Sequence, residues 1–380
     1  MVQQSSRRPK RAPPAPDQVA AFAVRPRIGG LLNIYRQAVL RIDRHEPVVL
    51  LLVIDAAGST PQRVGAKALV DGQGRLLDGT IGGGLMESEA LALGAKVAGT
   101  GSAQLREFRM DEPYSRQAGP ICGGSMRILA ADLGPYAATT CRAILAADHQ
   151  RRSGLILTTL SGPQAGRTCW FDPLEPGNGT IDPVRGQTLL DSQEAGTILR
   201  DRDGAELFVE PLRPAPRMLI VGGGHVGQQV AQQAAQLGFE VTVLDDRPEF
   251  ARQDRFCGQA QVICGPIGPK VAAFPKQKDT FIVMVSKGHR PDAEGLEGCI
   301  GSDAAYIGLI GSRRKIALLR QHFLGAGLAT AEQFDRVFAP IGLSIGAVTV
   351  QEIATSIMAQ VVCVRRRGAA RTRALHVALT

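Results

Sequence analysis

Residues 218–227 read MLIVGGGHVG: four apolar residues, Met218 to Val221, run into three glycines, and His225 opens a helical pattern that lasts to Leu237. A strand, a glycine turn and a helix in that order make the first half of a βαβ unit. Gly222, Gly224 and Gly227 have GxGxxG spacing. The first makes the tight turn, the second lets backbone amides approach a pyrophosphate, and the third lets helix and strand pack closely. Asp245 and Asp246 end the following strand about 20 residues on, where a carboxylate can accept from ribose hydroxyls. This pattern fits a dinucleotide site, and equally a glycine turn in a Rossmann-like fold that holds no dinucleotide.

Working outward, Glu240 to Leu244, Gln261 to Cys264, Phe281 to Val285 and Tyr306 to Ile310 read as strands with helices between, which predicts a doubly wound parallel sheet. A last long helix starts at Thr349, with Glu352 three residues on as a capping box, and runs to about Arg366. Upstream, Pro211, Pro214 and Pro216 stiffen a connector. Before it, Leu31 to Ile42 reads as an amphipathic helix, and the apolar run Val48 to Asp55 as a strand buried on both faces. A hairpin around Asp71-Gly72-Gln73-Gly74, helices at Leu85 to Ala98 and Tyr136 to Asp148, and strands at Ala103 to Arg109, Met126 to Asp132, Leu155 to Leu160 and Leu207 to Leu212 complete the pattern. The fold class is α/β: an N-terminal α/β domain over 28–212, then a Rossmann-like domain over 217–366. The Gly- and Pro-rich tract 163–203 reads as loop.

Charge separates the body from its ends. Of the formal net +9, residues 1–27 carry +5 and residues 365–380 another +5, leaving the body at −1. The first 27 residues hold five prolines and no amphipathic period, the composition of a disordered basic tail, and 367–380 reads as a second basic tail. Aromatic residues at 4% disfavour a stacking platform for single-stranded nucleic acid. Ala20 to Val24 is too short for the apolar core of a secretory signal, and no run approaches the ~20 apolar residues of a membrane span. Seven cysteines without CxxC spacing signal neither a disulfide framework nor a zinc site, so a reducing cytoplasm is expected.

Several loops have the chemistry to hold a ligand. Gly311, Ser312, Arg313, Arg314 and Lys315 gather free amides, a hydroxyl and three cations at a helix N-terminus, which suits an anion or a solvated first turn. His289, in the loop Ser286 to Asp292, is an acid/base or ligand-orienting candidate, or a polar loop residue. In the first domain, Gly58-Ser59-Thr60-Pro61 follows the buried strand, and Gly82-Gly83-Gly84 precedes the helix bearing Glu87. Cys122-Gly123-Gly124 precedes another strand. Small residues let backbone amides approach a polar ligand. Cys122 is either an ordinary half-buried cysteine or, with its pKa lowered by Arg116 or Arg127, a soft metal ligand or sulfur carrier.

In combination, Gly58 to Pro61 with Gly65-Ala66-Lys67, Gly79 to Gly84 with Glu87, and Cys122 to Gly124 resemble the N-terminal part of the XdhC/CoxI family, the xanthine dehydrogenase accessory factors. Gly224-His225-Val226, Asp245 to Phe250, Gly288-His289, Tyr306 to Lys315 and Pro340-Ile341-Gly342-Leu343 resemble its C-terminal Rossmann part. The similarity runs from about Leu31 to Val364. It implies a chaperone rather than an enzyme, one that binds the molybdenum cofactor (molybdopterin) while a cysteine desulfurase supplies sulfur. It also implies delivery to a xanthine dehydrogenase-type molybdenum hydroxylase, and a homodimer. The residues it implicates in cofactor binding are those of the glycine loops above with Glu87, His225, Asp245, His289, Ser312, Arg313 and Arg314, and Cys122 as a molybdenum contact. Many relatives have Cys directly after the GGG, where this chain has Leu85. The alternative is an NAD(P)-dependent oxidoreductase using the Gly222 loop and His289; a third reading is a nucleic-acid or membrane scaffold working through the basic ends. No residue pattern assigns catalysis, and neither a specific nucleic-acid contact nor a membrane span is expected.

Overall fold

The computed structural model describes residues 31–109, 124–173, 181–192, 195–201, 204–256, 258 and 260–379. The N-terminal tail therefore lies outside the described residues, as do Cys122 and Gly123. Contacts divide the chain into two compact units, 27–214 and 215–380.

The first unit begins with helix α1 (Leu31–Asp43), strands β1 (Val48–Gly58), β2 (Lys67–Asp71) and β3 (Leu76–Gly79), helix α2 (Gly84–Val97), and strands β4 (Ala103–Arg109) and β5 (Gly124–Asp132). These five strands form an antiparallel sheet in the order β3-β2-β1-β5-β4. Helix α3 (Pro135–His149), strands β6 (Gly154–Thr159) and β7 (Thr168–Phe171), helix α4 (Pro183–Asp191), and strands β8 (Thr197–Arg200) and β9 (Glu206–Leu212) follow. Their strands make a second antiparallel sheet, β7-β6-β9-β8. Strand β1 is buried on both faces from Val48 to Ile54 because each side is covered. Val49, Leu51 and Val53 pack towards α2, Val48 and Leu50 towards α1 and α3, and Leu52 and Ile54 towards Phe208 of β9. The tract 163–203, expected as loop, instead contributes β7, α4 and β8; its Gly-rich stretch 175–179 lies outside the described residues. Each of these elements is too short to carry its own hydrophobic period, and is fixed by pairing and packing with β6 and β9.

The second unit is a five-stranded parallel sheet, strands β10 (Arg217–Val221), β11 (Glu240–Asp245), β12 (Gln261–Cys264), β13 (Thr280–Met284) and β14 (Tyr306–Leu309), in the order β12-β11-β10-β13-β14. The order reverses between β10 and β13, and open α/β sheets bind ligands at such a switch point. Phe338 bridges Gly308 in parallel, and Ile341 N donates to Leu309 O, so residues 338–341 extend the sheet beyond β14. Helix α5 (His225–Gln236) and the later helix α10 (Val350–Arg367) cover one face; α6 (Ile267–Ala273), α7 (His289–Cys299) and α8 (Arg313–Gly325) cover the other, with short α9 (Ala331–Asp335) beside them. Thr349 and Glu352 form the expected capping box.

The C-terminal residues expected as a basic tail form helix α11 (Ala369–Leu379), packed against α10. Thr372 is buried, and the Arg373 guanidinium lies 4.6 Å from the Phe338 ring centroid. No helix among the described residues is long and apolar enough to cross a membrane.

Candidate functional site

In the first unit the antiparallel register does what residue spacing alone does not: it pairs Gly58 with Gly124 across β1 and β5. A Cβ on Gly124 would fall 2.5 Å from Ser59 O, so the start of β5 lies directly against the Gly58-Ser59 turn. Gly82 also approaches this loop, since its Cβ would fall 3.0 Å from Pro61 Cγ. Thr60 Oγ1 donates to Gln62 O at 2.8 Å and thereby shapes its own turn. The Thr80 hydroxyl accepts from Gly82 N at 3.1 Å and lies 2.7 Å from both Gly82 O and Glu87 Oε1, so Glu87 steadies the base of the glycine turn. Gly83 is the N-cap of α2, with no side-chain cap, and a Cβ there would meet nothing within 4 Å. The Gly58-Ser59 turn, the Gly82-Gly83 turn and Gly124 at the start of β5 thus lie together near an open helix N-terminus. Leu85, in the first turn of α2, is 58% exposed.

In the second unit Gly222, Gly224, His225 and Gly227 join β10 to α5, with Gly224 as an N-cap lacking a side-chain bond. A Cβ on Gly227 would fall 1.9 Å from Gly222 O, and one on Gly222 would fall 2.8 Å from the Ser286 backbone, whereas one on Gly224 would meet nothing within 4 Å. The first and third glycines are therefore needed by the fold, and the second leaves room for a ligand. His225 and His289, the first residues of α5 and α7, are both exposed.

Asp245 departs from its expected role. Its Oδ1 accepts from Arg247 N (3.0 Å) and Nε (2.9 Å), and its Oδ2 from Gly223 N (2.7 Å) and an Arg247 terminal nitrogen (3.0 Å). Those bonds occupy the roughly four acceptor sites of a carboxylate. Burial pushes the carboxyl pKa up, but the Arg247 side chain and the two backbone amides outweigh it and hold the group below the usual range. Asp245 thus orders the glycine loop from inside and has no vacant acceptor of its own for ribose hydroxyls, whereas Asp246, next in the chain, is exposed. Arg247 and Arg255 flank the Phe250 ring, at 3.9 and 5.2 Å, and Arg255 donates to Gly223 O at 3.3 Å. Sequence reading placed no role on Arg255, because its approach to Gly223 depends on the chain returning after β11.

Of the expected anion turn, Ser312 caps its own helix through Lys315 N. Lys315 Nζ pairs with the buried Asp292 and donates to Gly288 O at 3.3 Å, so it is spent within the fold. Arg313 and Arg314 are exposed. Cys141 and Cys299 are buried, which pushes their pKa values up to about 11 and about 12, and neither lies in either loop cluster. Among the described residues no group of three or more His, Cys, Asp or Glu side chains is arranged to hold a metal ion.

The comparisons with known proteins agree with this two-part architecture. A model described as the XdhC Rossmann domain matches residues 218–361, and one described as the XdhC and CoxI family matches 41–109. The uncharacterized protein YqeB of Escherichia coli K12 is 24% identical over 338 residues, covering 89% of this chain but 47% of YqeB, so the chain spans about half of that relative. A Bacillus subtilis protein named as a probable subunit of xanthine dehydrogenase is 24% identical over 336 residues, 86% of this chain and 96% of its own length. The crystal structure of a Bacillus halodurans protein, described as a xanthine dehydrogenase, has the same fold with a TM-score of 0.70 at 20% identity, covering 88% of this chain and 96% of that one. With both parts matched in order, the chain belongs to the XdhC and CoxI family.

Proposed function

We propose that this chain is a xanthine dehydrogenase accessory factor that binds the molybdenum cofactor, shelters it during sulfuration by a cysteine desulfurase, and inserts it into a xanthine dehydrogenase-type molybdenum hydroxylase, working as a homodimer in the cytoplasm. The observation that carries this reading is the pair of unblocked helix N-termini, at Gly83 and Gly224, each preceded by glycine loops and each with space where a Cβ would sit. Such termini favour phosphate, and the cofactor presents a phosphate. Each unit offers its own candidate set: Gly82 to Gly84 with Ser59 and Thr60 in the first, and Gly222 to His225 with Arg255, Arg313 and Arg314 in the second.

When bound, the cofactor supplies molybdenum and its exchangeable sulfur. The chain's own residues would bind the phosphate and order the loops, and none is assigned a catalytic step. The backbone amides at the open helix N-termini suit the phosphate end; the soft ligand for the metal would be Cys122, which lies outside the described residues, since Leu85 offers no sulfur. The name of the Bacillus subtilis relative supports a link to this class of hydroxylase. The oxidoreductase reading loses one of its two candidate ribose acceptors, since Asp245 is saturated by Arg247 and Gly223 and only the exposed Asp246 is left.

Anaerobic reconstitution tests the proposal. Cofactor-loaded protein added to apo-hydroxylase is expected to yield several-fold more active enzyme than the same amount of free cofactor. An equal yield from free cofactor would show that the chain adds nothing to insertion.

A further inference from the structure

The switch point contains a side-chain cluster that the glycine loops do not explain. Val285 N donates to Val221 O at 2.8 Å, which lays Ser286 against the first glycine of the loop, where a Cβ on Gly222 would fall 2.8 Å from Ser286 Cα. Ser286 Oγ donates to Asp292 Oδ1 at 2.5 Å. Asp292, in the first turn of α7, is fully buried, and its other oxygen takes the ammonium of Lys315 from the first turn of α8. Lys315 is itself held by Gly288 O. Two connections at the carboxyl edge of the sheet, β13 to α7 and β14 to α8, are thereby joined through one carboxylate, beside the Gly222 loop.

The chemistry of the hydroxyl follows from that arrangement. A serine has one proton to give and two lone pairs to offer. Here the proton is committed to a buried carboxylate that is paired with an ammonium, while Ser286 itself is only half-buried. Donation to a charged acceptor is stronger than to a neutral one, so a ligand carbonyl or phosphate oxygen does not win the proton back. We infer that Ser286 is a specificity-determining residue of the crevice between β10 and β13: its oxygen faces incoming ligand as an acceptor and selects molecules that present an N–H or O–H donor there. Asp292 and Lys315 are positioning residues acting through it. The assignment rests on the cofactor-binding reading above; the amino and ring N–H groups of a pterin are such donors, and so are the ribose hydroxyls of a dinucleotide.

The test compares wild type, Ser286→Ala and Ser286→Thr, using the full chain under anaerobic conditions. The probes are molybdenum cofactor released from a purified hydroxylase, NAD⁺, and sulfate, an anion suited to the glycine loop that carries no O–H or N–H donor at neutral pH. For whichever donor-bearing probe binds, Ser286→Ala is expected to raise Kd by about tenfold, the worth of one lost hydrogen bond, and Ser286→Thr to restore it. Sulfate affinity is expected to stay unchanged in both variants, a result that a collapsed loop would not give. Wild type and Ser286→Ala binding the donor-bearing probe equally would overturn this assignment while leaving the cofactor reading intact, as would a parallel loss of sulfate affinity. A wild type that holds neither the cofactor nor NAD⁺ would overturn both.

Discussion

Alanine substitutions at Gly224 and Gly227, one helical turn apart at the start of α5, are expected to behave in opposite ways. At Gly227 an added Cβ would sit 1.9 Å from Gly222 O, backbone against backbone, so α5 must move off β10. Overpacking of that kind costs about 1–3 kcal/mol and sometimes more. For a unit the size of residues 215–380 this corresponds to a fall in Tm on the order of 3–10 °C. At Gly224 the backbone is extended, with φ −68° and ψ −171°, and the added Cβ meets nothing within 4 Å. Only the N-cap preference is lost, below about 1 kcal/mol. The methyl would, however, occupy the approach to the α5 amides, at a cost to ligand binding of about 1–3 kcal/mol, or roughly 5- to 150-fold in Kd. Scanning calorimetry reads the first effect and anaerobic binding of the cofactor the second. Gly224→Ala unfolding as early as Gly227→Ala, or binding cofactor like wild type while folded, would refute the division of labour among these glycines.

Three further outcomes follow from individual contacts. Because the Asp245 carboxyl is held below its unfolded value, its stabilisation is present above pH about 4 and is lost as pH falls through the folded value. Asp245→Asn is therefore expected to lower stability by about 1–3 kcal/mol at neutral pH, with the gap to wild type closing in acid; urea melts that show a constant gap down to acid pH would contradict it. Lys67 pairs with Glu210 in the interior of the first unit, so Lys67→Met, which leaves that carboxylate buried and alone, should cost about 3–5 kcal/mol, and Lys67→Met with Glu210→Leu should recover much of it. Equal urea midpoints for the single and double variants would refute the pairing. Maleimide labelling of native protein should spare Cys141 and Cys299, whose thiols burial keeps protonated, and should modify Leu85→Cys readily at its exposed site; labelling of the two buried thiols at a comparable rate would contradict their burial.

The Rossmann half was legible because each of its strands is a short apolar run ending in a turn signal, and the Gly222 to Gly227 spacing carries its own packing reason. The β1 run was legible as a strand buried on both faces, although its neighbours are antiparallel. What stayed hidden depends on partners distant in sequence. Strand β7 and strand β8 have four residues each and are held by β6 and β9, so nothing local marks them. Helix α11 reads as a basic tail until Thr372 is buried and Arg373 lies over Phe338. Asp245 and Lys315 were visible as site residues, but their commitment to Arg247 and Asp292 is a matter of side-chain geometry. The approach of Gly124 to Ser59 likewise needs the β1/β5 register.

The central claim is that this chain holds the molybdenum cofactor, and the direct measurement is the pterin content of protein purified without oxygen from a molybdopterin-making host. Acid oxidation of the wild type is expected to release the fluorescent phosphorylated pterin in near-stoichiometric amount, with much less from Gly83→Ala and Gly224→Ala. Wild-type protein that carries no pterin, even after incubation with sulfurated cofactor, would contradict it.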